Sequence, residues 1–240
     1  MRILLPLLIL LATLAFALSP VLSTGFSGFT ADQFPVPQPD PPIQPMGLTF
    51  AVIWTVIYGW LIVMSGFGLL RRADAPDWAP HRPWLLASLV IGAAWIPVAN
   101  VSPIWALVLI WAMLATTLRA LWLVPGRDRF WLQGPVGLYA GWLTAAAPVG
   151  TAVVATGYGA TPELWVHAAF LLLASWIAYA VARFSSQPRP FYLVAVLWAV
   201  LGIIIDNVAV GRWLFAGLAG AVLLVLLPVF ARHVRDFMRR

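Results

Sequence analysis

Eight stretches of this chain are long and apolar enough to cross a bilayer, and no other feature constrains its fold as strongly. A spanning helix needs about 20 mainly apolar residues. Residues 3–22, 47–70, 83–100, 103–124, 133–157, 163–182, 190–206 and 211–231 meet that requirement. Their interiors hold almost no charge; His167 in the sixth and Arg119 near the end of the fourth are the exceptions. Inside hydrocarbon the backbone must pair its own polar groups, which a helix does within one segment. The expected fold is therefore all-α: an integral membrane bundle of about eight transmembrane helices. Composition agrees, because with 62% hydrophobic and only 9% charged residues a soluble surface could not be covered. A soluble domain carries about a quarter charged residues.

The connectors test the count. All fourteen basic residues are arginines. With the N-terminus inside, Arg2, Arg71, Arg72, Arg82, Arg119, Arg127, Arg129, Arg183, Arg189, Arg232, Arg235, Arg239 and Arg240 fall on one side, and Arg212 alone on the other. Adding or removing an internal span would scramble this bias. Cytoplasmic loops carry such an excess, so both termini are expected in the cytoplasm and the connector 23–46 outside. Residues 232–240 read as a basic cytoplasmic tail. The arginine-only usage and the Ala, Leu, Val and Pro content suggest a bacterial cytoplasmic (inner) membrane. Arg2, the apolar run and Ala15-Phe16-Ala17 also resemble a signal peptide with a small-residue cleavage site. The run is long for that and continues through Pro20-Val21-Leu22, which favours a retained helix.

Several chemistries are excluded or unsupported. With no cysteine, disulfides and thiolate metal sites are out. His81, His167 and His233 are far apart and show no paired ligand spacing, so no metal is expected. The charge of +6 marks topology; the arginines form no soluble module for nucleic acid. No nucleophile-base pair, paired carboxylates or phosphate loop is present, and no enzyme is expected. The one sizeable external connector contains Phe34-Pro35-Val36-Pro37-Gln38-Pro39-Asp40-Pro41-Pro42. Alternating prolines favour extended polyproline II, hence a stiff strap, either a spacer or a lid over a pocket. The spacer is the more ordinary reading.

Ten of the fourteen tryptophans precede residue 143. Interfacial belts account for Trp78, Trp84, Trp122 and Trp131, but Trp54, Trp95 and Trp142 lie within spans. The run Pro45-Met46-Gly47 through Trp54-Thr55 to Tyr58 resembles the second-helix signature of the tryptophan-rich sensory protein (TspO/MBR) family, which includes the translocator protein or peripheral benzodiazepine receptor. Trp95-Ile96-Pro97 is similar to its third-helix Trp-Ser-Pro. Residues 103–124 give an apolar fourth helix ending in Arg and Trp, and Gly137-Leu138-Tyr139-Ala140-Gly141-Trp142-Leu143-Thr144-Ala145-Ala146 resembles the fifth. The likeness covers residues 1–158, the family's five-helix unit. Residues 163–231 then form three added helices, as in longer relatives. Met46 replaces a family proline, and Gly92 and Gly150 stand where many members carry asparagine.

Phe50, Trp54 and Tyr58 share one face of the second span at i, i+4 and i+8; Tyr139 and Trp142 share a face of the fifth. Tryptophan in a bundle commonly just fills volume, and packing is the plain reading of these residues. The resemblance implies instead that Phe50, Trp54, Tyr58, Trp95, Tyr139 and Trp142 line a ligand cavity, with Trp54 and Trp142 holding a planar ligand between them. Pro97 and Pro148 should kink their helices. In the eighth span, Ala216-x-x-x-Gly220 and Gly217-x-x-x-Ala221 form small faces suited to close packing, internally or in a homodimer. Asp206 and Arg212 are expected to pair across the last hairpin, and His167 is a thin candidate for proton relay.

The resemblance implies a membrane receptor or sensor for a flat apolar ligand, a tetrapyrrole such as haem or protoporphyrin, or a sterol-like lipid. No cofactor is otherwise expected. Two alternatives stand beside it: an assembly subunit packing its apolar sides against a larger membrane complex, and a transporter of an amphipathic solute. The transporter is disfavoured by the lack of paired intramembrane charges and of an inverted repeat.

Overall fold

The computed structural model describes residues 3–239 except Thr24, Ser27 and Met46, and only the backbone of Ala31. Arg2, Arg240 and Met46, which entered the expectations above, lie outside the described residues. Eight helices are long and apolar enough to span a membrane: α1 (Leu4–Leu22), α2 (Leu48–Arg71), α3 (Arg82–Ala99), α4 (Pro103–Leu123), α5 (Gly134–Gly157), α6 (Glu163–Phe184), α7 (Pro190–Ala209) and α8 (Trp213–Met238). No strand occurs among the described residues.

Local chemistry sets the boundaries. Prolines occupy the first turn of α3, α4, α5 and α7, where a missing N–H costs nothing. Ser102 caps α4, its hydroxyl accepting from the Trp105 N–H. Gly159 ends α5 with φ of 90°, a left-handed turn that favours glycine. A single π-turn at Arg129–Gln133 leads into α5. The helix α8 runs on to Met238, through residues read as a tail. Arginine and aspartate leave the hydrocarbon there without breaking the helix, and Arg129 donates to the Phe237 carbonyl.

Successive helices alternate in direction, so one end of the bundle gathers the arginines and the other carries the strap. At the arginine end Arg72 pairs with Asp128 at 2.7 Å, and the Trp78 indole N–H donates to the same carboxylate. The Arg72 guanidinium holds the Asp128 carboxyl below the usual carboxylate range. His81, in the same corner, is buried, which pushes its imidazole down to about 3.

Neighbour relations describe two rings that share a helix. The first runs α1, α2, α5, α4, α3 and back to α1; the second runs α5, α6, α8, α7 and back to α5. The shared helix α5 has 19 of its 24 residues buried. Its contact with α7 is a glycine seam. A Cβ on Gly141 would overlap the Tyr192 carbonyl oxygen, and one on Gly137 would stand 3.2 Å from the Tyr192 nitrogen. The Tyr192 hydroxyl then donates to Thr144 Oγ1 at 3.0 Å, closing the seam with a buried hydrogen bond. The small faces of α8 are used differently: Gly217 and Gly220 have nothing within 4 Å of an added Cβ.

Candidate functional site

The first ring encloses a cavity in its strap-end half. Its volume is about 70 Å³, below the roughly 300–1,000 Å³ of small-molecule sites, so a ring system enters only as the strap or the wall side chains give way. Phe50 and Trp54 from α2, Trp95 from α3 and Trp142 from α5 form aromatic walls; Ala106, Leu107 and Ile110 of α4 complete them. The small run Ala145, Ala146, Val149 and Gly150 continues along α5. Gly150 faces open space, with nothing within 4 Å of an added Cβ.

Of the six residues expected at a site, Phe50, Trp54, Trp95 and Trp142 line the cavity. Tyr58 and Tyr139 lie below it. Tyr58 stacks on Trp54 at 5.1 Å, and Tyr139 is fully buried, its hydroxyl 3.0 Å from Ser88 Oγ, which also meets Thr117 Oγ1 at 2.6 Å. A phenol in a dry bundle needs a partner, and Ser88 provides it. The tryptophan pair also differs from expectation. Trp54 and Trp142 touch edge to face, with centroids 6.1 Å apart, so no planar ligand fits between them. The room lies above the pair, over Ala145, Ala146 and Gly150, where side chains are short.

Phe16 of α1 was missed, because its alanine neighbours drew attention to cleavage chemistry. It packs behind the cavity wall, its ring centroid 5.0–5.8 Å from those of Trp54, Tyr58 and Tyr139, and it fills the space over Gly92. Where the family often carries asparagine in the third helix, this chain has a glycine under a phenyl ring. A Cβ there would come within 2.8 Å of Phe16.

The strap is the roof. Phe26, Gly28, Phe29, Gln44 and Pro45 close the cavity from above. The strap is not a continuous polyproline extension: it makes a short 3₁₀ turn at Ala31–Gln33 and several bends. Side-chain bonds to helix ends fix those bends. Gln33 Nε2 donates to the Ala99 carbonyl, Thr156 Oγ1 to Gln38, Asn207 Nδ2 to the Pro42 carbonyl, and the Val36 N–H to the Gly157 carbonyl. Arg212 reaches Asp40 of the strap at 2.5 Å. Ile43 and Phe34 are buried beneath the strap. It is a structured lid.

Hydrogen bonds anchor several of the indoles. Trp95 donates to the Ala106 carbonyl, Trp111 to Thr151 and Trp198 to the Thr49 carbonyl, each stapling two helices. Trp142 differs, because its N–H is buried without a partner among the described residues. Away from the cavity, His167 is fully buried with Nε2 3.6 Å from the Glu163 carboxylate. Among the described residues no group of three or more histidines and carboxylates could hold a metal.

The geometry is that of an aromatic, roofed intramembrane pocket. No curated protein and no solved structure matches the chain at a significant level. A family model does, over residues 4–230, so the match runs through α6 and α7 and most of α8. The chain belongs to the family described as TSPO-like protein.

Proposed function

We infer that the protein is a membrane receptor or sensor of the TspO kind. It takes a flat apolar ligand, of the tetrapyrrole or sterol-like class, into the pocket beneath the strap. The supporting observation is the wall of that pocket, where four aromatic side chains from three helices surround an apolar space. Flat rings gain contact area and favourable ring geometry against such walls. The ligand lies on the Trp54–Trp142 pair, under Phe26 and Phe29. The arginine end faces the cytoplasm of a bacterial inner membrane in this reading, on the strength of the thirteen-to-one arginine split.

Tryptophan-fluorescence quenching of the detergent-solubilised protein tests the reading, with protoporphyrin, haem and a lipid panel as ligands. At least one should quench saturably, and Trp142→Phe should weaken it by up to about tenfold, as expected for the loss of part of a stacking face. If Trp54→Phe and Trp142→Phe both bind every such ligand as the parent does, the ring pair is packing only and the receptor reading fails. Reporters fused after Arg240 and at Gln38 test the orientation; a reporter after Arg240 that reads as external overturns it.

A further inference from the structure

A second apolar groove lies on the opposite side of the molecule, between α6 and α8, and serves neither the roofed pocket nor the glycine seam. It measures about 280 Å³ and is lined by Leu172, Trp176 and Tyr179 of α6 with Ala221, Val222 and Val225 of α8. Trp176 is 67% and Tyr179 44% exposed. Neither indole N–H nor phenol O–H finds an acceptor among the described residues, although both lie along a span. In hydrocarbon an unpaired donor is unfavourable, so the groove calls for an occupant with acceptors of its own.

The two lining stripes end in arginines. On α6, Arg183 follows Tyr179 by four residues and Trp176 by seven; on α8, Arg232 follows Val225 by seven and Ala221 by eleven. These spacings keep each arginine on its groove stripe. Both helices run from the strap end to the arginine end. At 1.5 Å per residue Arg183 lies about 30 Å and Arg232 about 28 Å along their helices, both toward the arginine end. Both are exposed, and neither has a carboxylate partner among the described ion pairs. Asp236, one turn beyond Arg232, is the acidic group near this end of the groove, and His233 is buried beside it.

We propose that this groove is a binding site for an anionic phospholipid, with the phosphate held between Arg183 and Arg232. One ester carbonyl accepts from the Tyr179 hydroxyl one turn deeper and the other from the Trp176 N–H, and an acyl chain lies along Leu172 and Val225. The order of chemistry along the groove is the order along the lipid: cations, then two donors, then hydrocarbon. A second copy of the chain presents the same arginines and the same donors, so it would meet like charge with like charge and supply no acceptor for either ring. Charge complementarity therefore selects the lipid.

Native mass spectrometry of the full chain tests this, using phosphatidylglycerol and phosphatidylcholine of identical acyl chains. Wild type should retain phosphatidylglycerol with a preference on the order of tenfold, as two surface arginines contribute. Arg183→Gln with Arg232→Gln should abolish the preference, while the paired Lys substitutions keep it. Arg127→Gln, an exposed arginine elsewhere on the same end, should leave it intact. Ala221→Trp should lower retention of both lipids by plugging the groove. The proposal is overturned by equal retention in wild type, by a preference that survives the double Gln variant, by equal loss in Arg127→Gln, or by a dimer that Ala221→Trp dissociates.

Discussion

The helices α5 and α8 carry the same kind of motif and use it in opposite ways. In α5, Gly137-x-x-x-Gly141 brings the backbone of α7 to within reach of a missing Cβ. In α8, Gly217 and Gly220 face open space, and the apolar residues that α8 buries are Phe215, Ala216, Ala219, Val222 and Leu226. Small residues permit close approach; they do not cause it. What decides is whether a helix is shared between rings. The helix α5 needs two neighbouring sets at once and has no room for side chains on the α7 side, whereas α8 is peripheral and turns its glycines to lipid.

Substitutions along these helices sharpen the contrast. The largest effect should come from Gly141→Ala. Its methyl would meet a backbone oxygen, which cannot rotate away, so the helices must separate and the Tyr192–Thr144 bond is lost. A destabilisation of about 3 kcal/mol, at the upper end of overpacking costs, should appear in unfolding by denaturing detergent. A value below about 1 kcal/mol would mean that the seam is loose. Next, Gly150→Leu places four carbons in the roofed pocket on the opposite face of α5. The protein should fold with parental thermal stability while losing saturable quenching by any ligand the parent binds. Loss of folding instead would show that the pocket is already closed around Gly150. The smallest effect belongs to Gly217→Ala, where nothing stands in the way. A change of no more than about 1 kcal/mol, in the stabilising direction, follows from helix propensity. A clear destabilisation would reveal a partner packed on that face.

The eight spans were legible because bilayer thickness converts directly into apolar length, and six of the eight observed helices end within two residues of the expected limits at both ends. The exceptions, α7 and α8, extend by three and seven residues at their C-terminal ends, where polar residues leave the hydrocarbon without ending the helix. The aromatic walls were readable from the spacing of Phe50 and Trp54 together with the family likeness. The position of Tyr139 was not, because sharing a helical face with Trp142 does not say how deep a side chain sits or which hydroxyl awaits it. Phe16 was hidden for a similar reason: one phenylalanine in an apolar run carries no local mark of packing behind a tryptophan 38 residues away. The bond between Arg212 and Asp40 spans 172 residues, beyond any local pattern.

Those long-range strap bonds also impose an order on biogenesis. The strap is made just after α1, yet its Gln38, Pro42 and Asp40 acceptors must wait for Thr156, Asn207 and Arg212, which the ribosome delivers much later. Until α5, α7 and α8 have entered the bilayer, the roof is held only at the end of α3, by Gln33 on the Ala99 carbonyl and Asn100 on the Gly25 carbonyl. A nascent chain of four helices would have most of the aromatic wall but a cover fastened along one edge. Closure of the pocket is thus a late event of synthesis, and the last residue needed to fasten the lid lies at the threshold of the final helix.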